Sequence, residues 1–450
     1  MTPLELVTHF HQLAARQPQA SAIWNPVRES WISFQEVTEL ASEWEERLAS
    51  HDLRNRLVLI RISEGTSLLP LLLATWKCGA VTLILDSSLS PELEDRIALT
   101  ERAALRISAE QIVSLEHPRS FRTPNLLLAK LTSGTTGVPK VLFFTAQEMC
   151  ADGSQLMEAM GIHSEDRNFA TIPLGHSYAL GNIVFPFMLA GCPIAQGSTY
   201  LPHGIATQIE QTQSTVFPGT PPLFRALSRT HDPLELSSLR LCISAGARLD
   251  PHIARDFFQK FGRRIHNFYG SSETGGIAYD ATGEAALDGS FIGTPIPGVT
   301  LERTASGHLS VSSPAVFTYG NRHRKKGVGR FRLSDKGTFG PNQEIQLAER
   351  HPGLLKIGGR RIITDELIRK LRAHPHISDF YITTISLDGK DRLAAAMETS
   401  ENLSAKDIRQ QLANDLPSPQ LPRKIILLPQ FPRTSRGKVD RQKLQQRLES

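Results

Sequence analysis

The 450-residue chain has only four cysteines, Cys78, Cys150, Cys192 and Cys242, widely spaced and without a C-x-x-C pair. That pattern excludes a disulfide framework and a thiolate zinc site, and it suits reduced thiols in the cytoplasm. No uninterrupted apolar run reaches membrane-spanning length. The most apolar helix candidate, residues 67–80, is too short. Met1-Thr2-Pro3-Leu4-Glu5 lacks the basic and apolar regions of a signal peptide. A soluble, cytoplasmic protein with no membrane span is therefore expected. The formal charge is only +5, the basic residues gather in the second half, and aromatics make up 7%. A patch of basic residues interleaved with aromatics is missing, so no nucleic acid is expected as a partner. G-x-x-x-x-G-K-[ST] is missing too, which excludes a P-loop ATPase.

What is present is a globular composition, 40% hydrophobic and 21% charged with 32 Gly and 28 Pro. This length can bury a large core and divide into two or three domains. Apolar spacing predicts helices over 5–16 and 33–49, the second opened by a Ser33/Glu36 capping box. A strand at 58–62, a helix at 68–78 and a strand at 80–85 ending at Asp86 form a βαβ unit, the mark of a parallel sheet. Residues 87–125 are polar with weak periodicity, and no element is assigned there. Strands at 168–173, 215–217, 239–244 and 264–268 alternate with helices near 222–228 and 251–261, giving a second α/β half. The apolar run 183–189 is a helix or a strand. Near Gly307 a small β-rich part begins. In the last hundred residues, helices at 364–371 and 404–416 accompany strands at 380–385, 393–397 and 424–428.

The most informative stretch is Leu131-Thr132-Ser133-Gly134-Thr135-Thr136-Gly137-Val138-Pro139-Lys140. It reads as a polar loop between two strands, because apolar runs at 126–128 and 141–144 flank it. Its glycines let backbone approach a ligand. Its hydroxyls and Lys140 offer donors without an acidic group, which suits a polyphosphate. This stretch resembles the phosphate loop of the adenylate-forming superfamily, which includes acyl-CoA synthetases, firefly luciferase and the adenylation domains of peptide synthetases. The resemblance implies ATP-binding roles for Thr132, Ser133, Gly134, Thr136, Gly137 and Lys140, and a catalytic one for Thr135.

Further segments fall in the order the resemblance requires. Tyr269-Gly270-Ser271-Ser272-Glu273-Thr274 is similar to the family's Y-G-x-T-E. Magnesium prefers one or two carboxylates with phosphate oxygens, so Glu273 is the expected metal ligand and a catalytic residue. Thr274 is expected to position the α-phosphate, Tyr269 to cover the adenine, and Gly270 and Ser271 to border the nucleotide. Gly246 and Ala247, after the 239–244 strand, would let adenine lie against backbone. Asp335 stands where the family has T-G-D and would accept the ribose hydroxyls. His176 and Tyr178 fall on the family's acyl-pocket position. Arg350 is a further nucleotide contact, and Lys438, in Pro432-Arg433-Thr434-Ser435-Arg436-Gly437-Lys438, would bring α-phosphate and carboxylate together. One departure stands out: Pro352 occupies the family's hinge position, and proline fixes φ.

The resemblance implies an α/β protein with the adenylate-forming ligase fold. A large N-terminal AMP-binding domain, 1–350, would hold two α/β halves and a small β-rich subdomain. A small mobile C-terminal α/β lid, 351–450, would follow. The implied reaction is ATP- and Mg2+-dependent conversion of an aromatic or medium-chain carboxylic acid to an acyl-adenylate. A thioester would then form on CoA or on the phosphopantetheine of an acyl carrier protein. The short aryl polyene and polyketide-associated ligases are the nearest type. Two alternatives are a catalytically impaired nucleotide-binding regulator and an acyl-AMP ligase that stops before thioester transfer. A basic cluster at Arg322, Arg324, Lys325, Lys326 and Arg330 is the expected contact for the thiol acceptor.

Overall fold

A computed structural model describes the chain except residues 88, 133–139, 231–233, 321–323, 326–328, 349–353, 358–359, 388–389, 400–402 and 434–438. The fold is a mixed α/β arrangement built on two large sheets. The chain divides into two compact units, Met1–Leu347 and Ala348–Ser450.

In the first unit, the expected βαβ motif is present. The strands Leu57–Arg61 and Val81–Ile84 run parallel, with helix Gly65–Lys77 between them. They belong to an eight-stranded sheet that continues through Leu126–Thr132 and Lys140–Thr145. A nine-stranded sheet forms the other half. Its central strands Asn168–Ala170, Val216–Gly219, Leu241–Ser244 and Ile265–Ser271 are parallel, so their carboxyl ends lie along one edge. Ligands of open parallel sheets bind outside that edge. A four-stranded antiparallel sheet, including His308–Ser312 and Arg330–Phe339, completes the unit.

Capping explains several helix starts. Thr2/Glu5, Ser33/Glu36 and Thr145/Glu148 each form a full capping box, satisfying two otherwise orphaned N–H groups. One core runs between the sheets, where Phe34 stacks on Phe187 at 5.7 Å beside Phe10 and Trp76. The ambiguous run 183–189 is helical. Its first turns, Leu180–Val184, form a π-helix that passes into Phe185–Ala190.

The unassigned region 87–125 holds helix Pro91–Glu101 and a strand pair, Leu105–Ser108 with Ile112–Ser114. The helix escaped detection because its inner face carries carboxylates. Buried Glu94 pairs with Arg61 and, at 2.8 Å, with Arg106, and Glu101 is buried as well. An ion-paired inner face hides the apolar period that a sequence search detects.

The second unit packs helices Asp365–Ala373, Ala405–Ala413 and Arg441–Glu449 on a three-stranded sheet. In that sheet Asp379–Leu387 pairs antiparallel with Lys390–Glu398, which runs parallel to Lys424–Leu428.

Candidate active site

The phosphate-loop candidate is carried by a hairpin neck. Thr132 and Lys140 are cross-strand neighbours, and the Thr132 hydroxyl reaches the Lys140 carbonyl at 3.5 Å. Ser133, Gly134, Thr135, Thr136 and Gly137 lie outside the described residues, as do Arg350, Pro352 and Lys438.

Glu273 stands in the turn between antiparallel strands Ile265–Ser271 and Gly275–Tyr279. A Cβ at Gly270 would come within 2.8 Å of the Gly275 carbonyl, so the turn needs glycine there. The Ser271 hydroxyl accepts from the backbone N–H of Glu273 and of Thr274, each at 3.2 Å, which fixes the turn. Behind it, the Glu273 carbonyl accepts from the Phe317 N–H at 3.0 Å. The carboxylate itself is half-buried and accepts no hydrogen bond from a described residue. Its turn is tied to the hairpin, because Phe317, which binds the Glu273 carbonyl, lies two residues before Tyr319, the cross-strand neighbour of Phe143 in Lys140–Thr145.

The side chains expected at the nucleoside also meet. The Tyr269 hydroxyl donates to Asp335 Oδ2 at 2.9 Å. Gly246 and Ala247 are exposed at the carboxyl end of Leu241–Ser244. Gly246 has φ +86°, with nothing nearer to its missing Cβ than Thr220 at 3.9 Å.

On the acyl side, His176 Nε2 lies 3.2 Å from Asp86 Oδ2. The approach depends on Gly175, where a Cβ would be 2.6 Å from Ile84. Tyr178 packs against Phe268, the rings tilted at 38° with centroids 5.6 Å apart, and donates its hydroxyl to the Ile243 carbonyl at 3.0 Å. Burial raises its pKa well above the usual phenol range. The hydroxyl thus ties the 176–178 segment to the strand Leu241–Ser244, and burial keeps it protonated as a donor.

Thr274 needs a correction. It is 0% exposed, with its hydroxyl engaged by Ser271 Oγ at 3.0 Å and the Gly275 carbonyl at 3.3 Å, so the side chain does not face a ligand. Ser272, its neighbour in the turn, is half-buried instead. Asp86 was missed, although a carboxylate ending a parallel strand is itself a signal. Of the basic cluster, Arg322 and Lys326 lie outside the described residues, and Arg330 is paired with Glu302 at 2.5 Å.

The AMP-binding enzyme family matches residues 116–302, the span holding both the hairpin and the Glu273 turn. The mitochondrial malonate–CoA ligase of Mus musculus is 24% identical over 70% of this chain and 64% of its own length. Over residues 116–302 the chain is similar to the AMP-binding enzymes. ATP-bound MatB from Rhodopseudomonas palustris superposes with a TM-score of 0.81 at 18% identity, covering 99% of each chain. The o-succinylbenzoate CoA synthetase of Bacillus subtilis, solved with its acyl-adenylate intermediate, gives 0.80 at 17% identity, covering 97% of each. At such identities these two structures establish the adenylate-forming fold.

The residues present fit a magnesium–nucleotide complex. Glu273, half-buried and accepting no hydrogen bond from a described residue, would supply one hard oxygen donor, and magnesium shared with phosphate needs one or two carboxylates. Among the described residues no three His, Cys, Asp or Glu side chains gather into a self-sufficient metal cluster. Among them, too, no helix is long and apolar enough to cross a membrane.

Proposed function

We propose that this protein activates a carboxylic acid with ATP, releasing pyrophosphate, and passes the acyl group to a thiol. One observation carries the reading: the Glu273 carbonyl accepts from the Phe317 N–H at 3.0 Å, and two residues on Tyr319 pairs with Phe143 of Lys140–Thr145, the strand that leaves the Thr/Ser/Gly loop. The strand entering the Glu273 turn carries Tyr269, hydrogen-bonded to Asp335. The carboxylate proposed for the metal and the tyrosine proposed for the adenine are thus carried by one hairpin.

A carboxylate is a poor electrophile, because its leaving group would be oxide. Attack of its oxygen on the α-phosphorus makes an acyl–O–AMP bond and breaks the α–β phosphoanhydride. Tyr269 and Gly246 bracket the adenine, and Asp335 accepts the ribose hydroxyls. Lys140 and the loop hydroxyls meet the triphosphate. Glu273 would hold magnesium, which would supply charge neutralisation to the departing pyrophosphate. Lys438 draws two anions together, a task of positioning and electrostatics. His176, fixed by Asp86, and Tyr178 line the acyl pocket. An aromatic or medium-chain acid is the substrate, CoA or a carrier-protein phosphopantetheine the acceptor, and the 351–450 region the lid. The four cysteines, all free and three of them buried, suit a reducing, cytoplasmic setting.

Pro352 favours a second reading, in which the adenylate forms but thioester transfer is restricted because the hinge cannot turn. The test is acid-dependent exchange between ATP and labelled pyrophosphate over aromatic and aliphatic acids, followed by thioester assay with CoA and a carrier protein separately. Exchange with at least one acid is expected. ATP binding without exchange for any acid would instead support a nucleotide-binding regulator.

A further inference from the structure

The ion pair between Arg61 and Glu94 is joined to the acyl side of the site by a continuous set of hydrogen bonds. Arg61 closes the strand Leu57–Arg61, and the parallel neighbour Val81–Ile84 runs on into Asp86. Pairing continues past the strand end, because the Leu85 N–H donates to the Ile60 carbonyl at 2.8 Å. Directly afterwards the chain reverses, and the Leu89 N–H donates to the Asp86 carbonyl at 3.0 Å. Arg61 grips both sides of that reversal. Its Nη1 donates to the Ser87 carbonyl at 3.3 Å and its Nη2 to the Leu89 carbonyl at 3.0 Å. The same guanidinium binds Glu94 through Nη2 and, at 2.7 Å, through Nε.

Glu94 is 4% exposed. Replacing a buried ion pair with well-packed apolar side chains is commonly neutral or stabilising, so stability alone does not account for this one. What an apolar side chain or a lysine cannot do is present donors to three acceptors at fixed angles from one rigid plane. Glu94 orients the plane, and the carbonyls of Ser87 and Leu89 receive it. Between Leu85 and Ser87 stands Asp86, whose Oδ2 lies 3.2 Å from His176 Nε2. Both of those side chains are largely shielded from solvent.

We propose that Arg61 is a positioning residue for the acyl pocket: by clamping Ser87 and Leu89 it sets the Asp86 carboxylate, which in turn orients His176. The proposal rests on the reading of His176 as an acyl-pocket residue.

The test is ATP–pyrophosphate exchange by the full chain with benzoate and with octanoate, read as KM for ATP and kcat/KM for the acid. The variants are Arg61→Met, Arg61→Lys, Asp86→Asn, Arg61→Lys/Asp86→Asn and His176→Ala. Arg61→Lys keeps a cation beside Glu94 and supplies a folded protein should Arg61→Met fail to fold. A misplacement of about 1 Å arising away from the chemistry can cost on the order of 10²-fold. The Arg61 variants should therefore lower kcat/KM for the acid by about 10- to 100-fold and leave KM for ATP unchanged. Arg61→Lys should add little to Asp86→Asn, because both act through one carboxylate. An unchanged kcat/KM for the acid in the Arg61 variants, an equal rise in KM for ATP, or losses that multiply in the double variant would overturn the proposal. Wild-type behaviour of His176→Ala, or no exchange by the wild type with either acid, would instead overturn the underlying reading of the acyl pocket.

Discussion

Asparagine at Asp335 would keep the shape of the side chain and remove its charge. Asp335 Oδ2 accepts from the Tyr269 hydroxyl at 2.9 Å, so the carboxylate is held at the edge of the aromatic ring expected over adenine. Hydrogen bonds to a charged acceptor contribute about 1.5–3 kcal/mol, against roughly 1 kcal/mol for neutral pairs. Asp335 is half-buried, which places it toward the lower end. Neutralising one acceptor of two ribose hydroxyls should then cost about 1.5–3 kcal/mol of nucleotide binding, or roughly 10- to 100-fold in affinity. Ribose lies away from the reacting phosphorus and is bound alike before and during the reaction, so the loss belongs in KM for ATP and not in kcat. The assay is pyrophosphate exchange at varied ATP with saturating acid, repeated at varied acid with saturating ATP. Tyr269→Phe, which leaves the charge, should raise KM for ATP by less than Asp335→Asn. An unchanged KM for ATP in Asp335→Asn, or an equal rise in KM for the acid, would refute the assignment.

Lys438→Ala should lower the adenylation rate by about 10²–10³, by analogy with removing one preorganised donor to developing charge; undiminished exchange would remove the residue from the mechanism. Gly270→Ala forces a Cβ to 2.8 Å from the Gly275 carbonyl, a backbone atom that cannot swing away. It should cost about 1–3 kcal/mol in urea unfolding and depress exchange at saturating ATP and acid. Asp166 supplies a pH test. Burial alone would raise its carboxyl, but hydrogen bonds from Arg240 Nε at 2.6 Å, Thr215 Oγ1 at 2.7 Å and the His163 N–H at 3.0 Å hold it below the usual range. Its stabilisation is therefore present above the unfolded pKa near 4 and is lost as pH falls through the lower folded value. Asp166→Asn should destabilise by about 1.5–3 kcal/mol at neutral pH. That deficit should shrink progressively in acid; a pH-independent deficit would contradict the linkage.

Much of this was legible because local chemistry and global fold agree. The capping box at Ser33 marked a helix start that the structure reproduces, and the apolar runs around the hydroxyl-rich loop marked its two strands. Tyr269 and Asp335 were singled out separately, 66 residues apart, and the fold joins them by one hydrogen bond. What stayed hidden was hidden by burial of charge. Glu94 facing inward beside Arg61 and Arg106 erased the period of its helix. Lys130 and Asp152 look like surface residues until the sheet and the helix Ala146–Met160 enclose them. Thr274 against Ser272 is a question of which side of a turn faces outward, and spacing alone does not decide it.

The most direct test of the central claim is the fate of the acid's own oxygen. With a carboxylic acid labelled in both oxygens with heavy oxygen, ATP and the thiol acceptor, attack on the α-phosphorus leaves one labelled oxygen in AMP after thioester formation. Label in AMP is the predicted result. Label in inorganic phosphate, with ADP as the nucleotide product, would mean attack on the γ-phosphorus and would contradict the account.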